Sequence, residues 1–511
     1  MNLGKFDDNI RTEYFNGQGY MFNAVLFNED GFRHKLRFGA IDELVIEDNI
    51  LDWVHQGYMT IQNPDNSLER SNKIQTPAGE EETIPFHFRS DGRDYLYLHI
   101  EPLVDDAELR KIDNKFYTIK LVFAIYKIED IASGESENKK KKLYFWDYRY
   151  QYMIEKNIRW STAYAIKSKE GTSTPVSQLS DSDRGVPHGE AIKELLSAIF
   201  NDDFGDLTTL DGWENGSSSN NVFYSSPNEY KAADDIQYLL DQHTSSDESG
   251  NYPCILRLER DMKHTWSLLS LPDYFKRGTS GNDSGVYQIE KFTVSYLPDN
   301  TQPIPNRPKV PTASSTVQNV HFPDLSVIND FEFVQQPGLI NQRKMVTTTV
   351  HGYNHNSKTF TTYQHDISEV EADFQRDIVD LAYNSGDSKC KANFFLNNLK
   401  TDNHNIRSIN STASNYVEGV SWGRNKTVIN GLLTGNALQF DCKGSTHRQA
   451  GRFIGVDRSD HYDENKFDDK LLGQYFTVAV NHVFTPSRYD NDIIAVKPFS
   501  FNDHGYNEDI V

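Results

Sequence analysis

Cysteine is nearly absent from the 511 residues: Cys254, Cys390 and Cys442 lie far apart and show no CxxC spacing. A disulfide framework and a cysteine-based zinc site are therefore excluded as organising principles, and folding in a reducing cytoplasm is expected. Long apolar runs are missing as well. No stretch approaches the roughly 18 apolar residues of a membrane-spanning helix. The polar, acidic opening, Met1 to Tyr20, lacks the basic region and apolar run of a signal peptide. Positive charge is in deficit, with 52 Lys and Arg against 74 Asp and Glu and a formal net charge of -22. Such a surface repels phosphate and anionic lipid head groups, which disfavours nucleic-acid recognition and direct membrane binding. It remains compatible with DNA that must slide past a wall without sticking to it.

Catalytic signatures are also lacking. The chain contains no GxSxG, no P-loop, no HExxH and no GxGxxG between a strand and a helix. No catalytic, metal-ligating or cofactor-binding residue is assigned, no cofactor is expected, and the chain is read as non-enzymatic. Paired carboxylates of the glycosidase type depend on a spacing of about 5–9 Å in space. Among 74 acidic residues a chance pair will exist.

Aromatic residues are abundant, 12% of the chain with 27 Tyr and 30 Phe, and suit half-buried pleated surfaces. The length exceeds the roughly 250–300 residues at which single cores stop growing, so three or four domains are expected. Period-two patterning marks strands at Phe22–Phe27, Arg33–Phe38, Ile41–Ile46, Trp53–Ile61, Tyr95–Ile100 and Phe116–Ile131, with a polar loop from Asn63 to Thr83. An aromatic-rich strand pair is expected between Leu143 and Ala165. Helical spacing marks His188–Phe200, through Ile192, Leu195, Leu196 and Ile199. It also marks Pro227–His243, where Pro227 would occupy the first turn.

A hairpin over Tyr252–Arg260 and Thr265–Ser270 and a strand at Val286–Tyr296 precede a proline-rich linker from Leu297 to Ser315. Beyond it come strands at Ser326–Val334 and Met345–Tyr353 and helices at Ile367–Ala382 and Lys426–Leu433. The closing strands are Ala437–Lys443, Arg452–Val456, Gln474–Phe484 and Asp492–Phe499, the third with polar and apolar residues on opposite faces. The expected class is a β-rich, multidomain α+β protein. Its units are 1–135, a first β-barrel; 136–250, an α/β insert; 251–300, strands contributing to a second barrel; 301–435, linker and second insert; and 436–511, the remainder of the second barrel.

Three polar clusters carry no assigned chemistry. The lysine run Lys139–Lys142 reads as a solvated turn. Asp457, Asp460 and Asp463 lack the central glycine and terminal glutamate of a calcium loop, and read as an exposed acidic turn. His351, His355 and His365 lie on an expected strand and loop, which do not bring an i,i+4 pair together on one face as a helix does.

The chain resembles the central baseplate hub proteins of contractile-tailed bacteriophages, the family that includes the hub region of type VI secretion spike proteins. Four segments carry the resemblance: Ile41–Trp53 with Gly57–Ile61; His188–Leu196; Asn221–Pro227 with Trp266–Phe275; and Leu472–Phe484 with Tyr489–Ile494. The resemblance implies two tail-tube-like barrels per chain, and a homotrimer that matches a hexameric tail tube to a trimeric spike. Expected partners are tail tube or tube-initiator proteins, a spike protein and baseplate wedge proteins, with DNA passing through the channel unbound. It places the chain in the virion tail baseplate, assembled in the host cytoplasm. Leu472, Tyr475, Thr477, Ala479, Asn481 and Phe484 are the expected barrel or interface positions. No spike-like repeat lies before Val511, so a separate spike polypeptide is expected. The alternatives are a glycan-binding or polysaccharide-degrading tail protein, and a distal-tail or wedge component.

Overall fold

The computed structural model describes residues 13–14, 20–29, 33–63, 72–75, 81–84, 88–89, 91–102, 117–131, 139–157, 186–204, 213–214, 221–223, 226, 230–243, 253–260, 265–271, 273–275, 287–294, 317–320, 326–334, 347–354, 359–366, 391–397, 407–408, 433, 436–458 and 473–497. The expected linker at 297–315, the helices at Ile367–Ala382 and Lys426–Leu433 and most of the acidic turn after Asp457 lie outside them. So do His355 and Leu472.

The strands of the first half are β1 (Glu13–Tyr14), β2 (Tyr20–Asn28), β3 (Arg33–Leu36), β4 (Ile41–Asn49), β5 (Gln56–Gln62), β6 (Asn72–Gln75), β7 (Glu81–Ile84), β8 (Asp94–Pro102), β9 (Ile119–Ile131) and β10 (Lys140–Asp147). A helical stretch follows, with α1 (Tyr148–Glu155), β11 (Val186–Pro187), α2 (His188–Phe204), β12 (Asn221–Phe223), α3 (Ala232–Gln242), β13 (Cys254–Leu258) and β14 (Trp266–Ser270). The remainder is β15 (Tyr287–Val294), β16 (Val317–Val320), β17 (Ile328–Val334), β18 (Thr347–Asn354), β19 (Thr359–Asp366), β20 (Lys391–Asn397), β21 (Arg407–Ser408), β22 (Asn436–Lys443), β23 (Phe453–Arg458), β24 (Gly473–Phe484) and β25 (Tyr489–Lys497). The protein is β-rich and mostly antiparallel.

Fifteen strands form one sheet that runs through both ends of the chain. Its first part has the order β2-β8-β9-β10-β5-β4, and β4 pairs antiparallel with β24, from Ala479↔Asn49 to Phe484↔Leu44. β24 pairs with β25 on its other edge, and β25 leads on to β22 and β17. Toward its start, β24 pairs with β23, which leads to β15 and β16. The twelve residues of β24 therefore join two sheet regions, through a pairing with β4 across more than 400 positions of chain.

Each region has its own apolar core. In the first, β2 reaches the far end of the sheet: Phe22 lies 6.1 Å from Phe484, and Tyr20 packs edge-on against Tyr489 at 5.0 Å. Between them lie Leu26, Leu44, Ile46, Met59, Leu96, Leu98, Leu121, Phe123 and Phe145, all buried. In the second region Phe292, Ile328, Leu438, Phe440, Val456, Tyr475, Val480 and Ile493 share a core. There β17 returns to β15 through the isolated bridge Thr293↔Val327 and the bond from Thr293 N to Ser326 O at 2.9 Å. A third core joins α2 and α3 to the β13–β14 hairpin through Ile192, Leu195, Leu196, Ile199, Ile236, Leu239, Leu256, Trp266 and Leu268. The hydrophobic spacing read from the sequence as helical is the face that this core buries.

Local readings needed correction at four places. Where the expected strand pair over Leu143–Ala165 is described, through residue 157, it is one strand, β10, followed by α1. The buried Asp147 carboxylate accepts from Arg149 N at 2.9 Å and starts that helix, a capping function that an alternating aromatic pattern conceals. α3 begins at Ala232 rather than Pro227, because Asp234 reaches back to accept from Lys231 N at 2.9 Å. The polar segment Asn63–Thr83 contains the β6–β7 hairpin, with Asn72↔Ile84 to Gln75↔Glu81 in register. The lysine run begins β10 instead of forming a turn: Lys140 pairs with Asp42 and Lys141 with Asp130, both at 2.6 Å.

Candidate functional site

The segment 444–451, Gly-Ser-Thr-His-Arg-Gln-Ala-Gly, connects β22 to β23 and reads as a surface turn, yet all eight residues are buried. A buried loop requires a partner for every backbone polar group, and this strap finds them in both halves of the sheet and in the β13–β14 hairpin. Gly444 N donates to Tyr489 O at 2.8 Å, Gly451 N to Thr477 O at 2.8 Å and Ala450 N to the Asp48 carboxylate at 3.1 Å. Tyr20 of β2 donates its hydroxyl to Gly444 O at 3.2 Å, and Thr446 donates to Tyr117 O.

Both ends of the strap require glycine. A Cβ on Gly444 would lie 2.4 Å from the Tyr489 ring. Gly451 has φ +82°, and a Cβ there would meet Ile50 at 2.9 Å.

Three arginines hold this strap, and each is buried. Arg257, on the hairpin, pairs with Asp48 of β4 and donates to Ala450 O at 3.1 Å. Arg260 donates to Thr446 O and to Arg448 O at 2.5 and 3.0 Å, and reaches His482 Nε2 at 3.3 Å. Arg448 binds Glu290 of β15 in a two-pronged contact, 2.7 Å from Nη2 and 3.1 Å from Nε, and donates to Asn491 Oδ1 at 3.0 Å. His447 Nε2 adds a contact of 3.1 Å to Glu290. Burial alone would raise the Glu290 pKa, but Arg448 and His447 outweigh it and hold the carboxyl well below the usual carboxylate range. Burial would lower the pKa of Arg448, but Cys442 and then Glu290 outweigh it and raise it.

On the opposite side of the sheet, register places rows of side chains on one face, since directly paired residues point the same way. One row runs Trp146, Gln56, Glu47, Asn481, Asp492, Asp441, crossing from β10 to β22. A second runs Lys127, Tyr144, Tyr58, Val45, Val483, Asp490 from β9 to β25. Between β9 and β22 this face spans about 29 Å at ~4.8 Å per strand. Its β4, β25 and β22 strands carry the acids Glu43, Glu47, Asp441, Asp490 and Asp492, beside Val45 and Lys443. Glu47 is raised in pKa by burial and then by Asp52, and Asp490 by burial and Asp441 against the opposing Arg488.

The β9–β10 end of the face is aromatic. A register shift between β9 and β10 leaves Tyr126 as an extra residue, stacked on Trp146 at 4.0 Å. Lysines cover the neighbouring rings: Lys142 stands 3.8 Å over Tyr58 and Lys127 4.7 Å over Tyr144. Tyr126 itself stays exposed beside Trp146.

Of the six expected interface positions Leu472 lies outside the described residues, and the other five do not share a face. Tyr475 and Phe484 are buried in separate apolar cores, and Phe484 stacks on Tyr489 at 4.0 Å. Thr477 is buried, and its amide donates to Arg452 O at 2.8 Å. The register shift between Thr477 and Ala479 breaks the alternation. Asn481 lies on the outward face and donates to Asp492 at 3.3 Å, whereas the polar His482 points inward. Sequence reasoning missed the strap and its arginines. Its available signal was a run of eight residues, polar except for Ala450, closed at both ends by glycine.

Among the described residues no group of three or more His, Cys, Asp or Glu is arranged to hold a metal ion. No described helix is long and apolar enough to cross a membrane.

No protein-family model matches the sequence, and no curated protein is similar to it. Among solved structures, the chain is similar to a tail protein from Neisseria meningitidis MC58, with 9% identity, a TM-score of 0.46 and coverage of 93% of this chain and 96% of that one. It is also similar to the 43 kDa tail protein of prophage MuSo2 from Shewanella oneidensis, at 9% identity and TM-score 0.43 over 93% and 98% of the two chains. A chain of the Francisella PdpA-VgrG complex gives 12% identity and TM-score 0.40, covering 97% of this chain and 60% of that one. Similarity of this degree assigns no function.

Proposed function

We infer that the chain is a structural subunit of a phage-like tail, a baseplate hub whose two sheet regions act as paired tube-like barrels. The observation that carries this reading is the uninterrupted sheet across the β4–β24 pairing, polar and acidic on one face and anchored behind by the buried strap. Three such chains around an axis would present six barrel units to a hexameric tube and three-fold symmetry to a spike, with wedge proteins docking outside. The outward face, with Glu43, Glu47, Asp441, Asp490 and Asp492, would line the channel and repel passing DNA. The role is mechanical: a contact between distant chain segments, locked by buried ion pairs, transmits load without a catalytic step.

Mass measurement and negative-stain imaging of the purified chain test this reading. A trimer enclosing a channel is the expected result. A monomer with an open cleft, or a hexameric ring without three-fold character, overturns the hub assignment.

A further inference from the structure

Two buried histidines at the strap are held there as neutral rings. His482 of β24 faces Arg260 Nη1 at 3.3 Å through Nε2. Its Nδ1 lies 2.7 Å from the Tyr489 hydroxyl and 3.0 Å from Asn491 Nδ2. His55, just before β5, has Nε2 3.6 Å from Asp48, and neither ring nitrogen makes a hydrogen bond among the described residues.

The groups facing the two rings come from every element around them. β4 supplies Asp48, the hairpin supplies Arg257, Glu259 and Arg260, and β25 supplies Tyr489 and Asn491. The strap supplies Arg448, with His447 held on Glu290 beside it. Arg257, Arg260 and Arg448 are matched by the buried carboxylates Asp48, Glu259 and Glu290 while both rings stay neutral.

We propose that this junction is an acid-released latch: opening lets His482 and His55 take protons from solvent, and reclosing would then set imidazolium against Arg260 and Arg257 inside the protein. A protonated His482 has no lone pair for Arg260, whose other bonds hold the strap carbonyls of Thr446 and Arg448. The hairpin and the strap would separate from the sheet while strand pairing persists. Closed, the latch strongly resists protonation. His482 is pushed well below the ordinary histidine value by burial, then by Arg260, His55 and Arg448. His55 is pushed down to about 4 by burial, with Arg257 and Arg260 adding to the effect and Asp48 opposing it. Open, each ring titrates near 6.5, so each makes the open state about tenfold more populated per pH unit below that value.

Two buried thiols report on the latch. Cys254 belongs to the hairpin, and Cys442 lies 3.2 Å from Arg448 Nη1. In the full chain carrying Cys390→Ser, labelling by 4,4′-dithiodipyridine is followed from pH 7.5 to 5.0, each rate divided by that of the urea-unfolded chain at the same pH. Both normalised rates are expected to rise together by at least tenfold with unchanged far-UV circular dichroism. His482→Gln and His55→Gln should each reduce the rise, and the double variant should abolish it. A flat wild-type profile, a rise that survives the double variant, or a rise seen only with loss of the dichroism overturns the latch. Should the double variant not fold, His55→Gln alone decides, since the rise must then shrink at least threefold. The latch and the tail reading fail independently, because neither measurement reports on assembly.

Discussion

Leu96, Leu98, Leu121 and Phe123 lie inside the first sheet region among apolar neighbours, whereas Arg257, Arg260, Arg448, Asp48 and Glu290 lie equally buried beside β24 among charges. Apolar burial is non-directional and scales with area, so the first region accepts altered shapes at a graded cost. Buried ions lose hydration and recover it only through particular partners, so the junction accepts one arrangement and is weakened sharply when one partner is removed. The difference separates what supplies bulk stability from what specifies how distant segments meet.

The largest expected effect comes from breaking the junction. Arg448→Met leaves Glu290 buried with only His447 and Ser326 as side-chain contacts, and should cost about 3–5 kcal/mol in urea unfolding. Adding Glu290→Leu should recover a substantial part of that loss. A double variant less stable than Arg448→Met alone would show that the pair is not the unit.

In the apolar region, Leu98→Ala should cost about 3 kcal/mol through lost burial and a cavity. No second substitution of a neighbour should rescue it as the charge partner does.

pH separates the regions further. His55 has a folded value of about 4 against an ordinary 6.5, so the unfolded chain binds the extra proton and stability falls as pH drops from 6.5 towards 4. Its contribution to that loss reaches at most about 3 kcal/mol, read as a falling Tm that flattens in His55→Gln. Glu290 acts at lower pH: its folded value is depressed, so its stabilisation is present above the ordinary carboxylate range and is lost as pH falls below it. The apolar core itself contributes no pH dependence, and Leu98→Ala should shift the profile downward without changing its shape.

The smallest effect belongs to the outward face. Lys142→Met removes the cation over Tyr58 and should cost about 0.5–1 kcal/mol. A larger loss would mean that the face carries structural load in the isolated chain.

Much of the secondary structure was legible in the chain. Alternation located β2, β4, β5, β8, β9 and β24, and helical spacing located α2, because a half-buried element writes its period into the sequence. α1 and the start of α3 were misread, since Asp147 and Asp234 act through backbone hydrogen bonds that hydrophobic pattern does not encode. The strap was not legible at all. Gly444–Gly451 has the composition of an exposed turn, and its burial depends on Arg257 and Arg260, nearly 200 positions earlier, and on Glu290.

The sequence alone determined the β-rich class, the acidic surface and the absence of a cysteine framework, because composition and local period depend only on neighbours along the chain. Tertiary structure alone decided that β4 meets β24, that His482 turns inward and that three arginines close the junction. Ion pairs between residues hundreds of positions apart leave no periodic trace, and a buried charge is recognisable only once the partner that compensates it is in place.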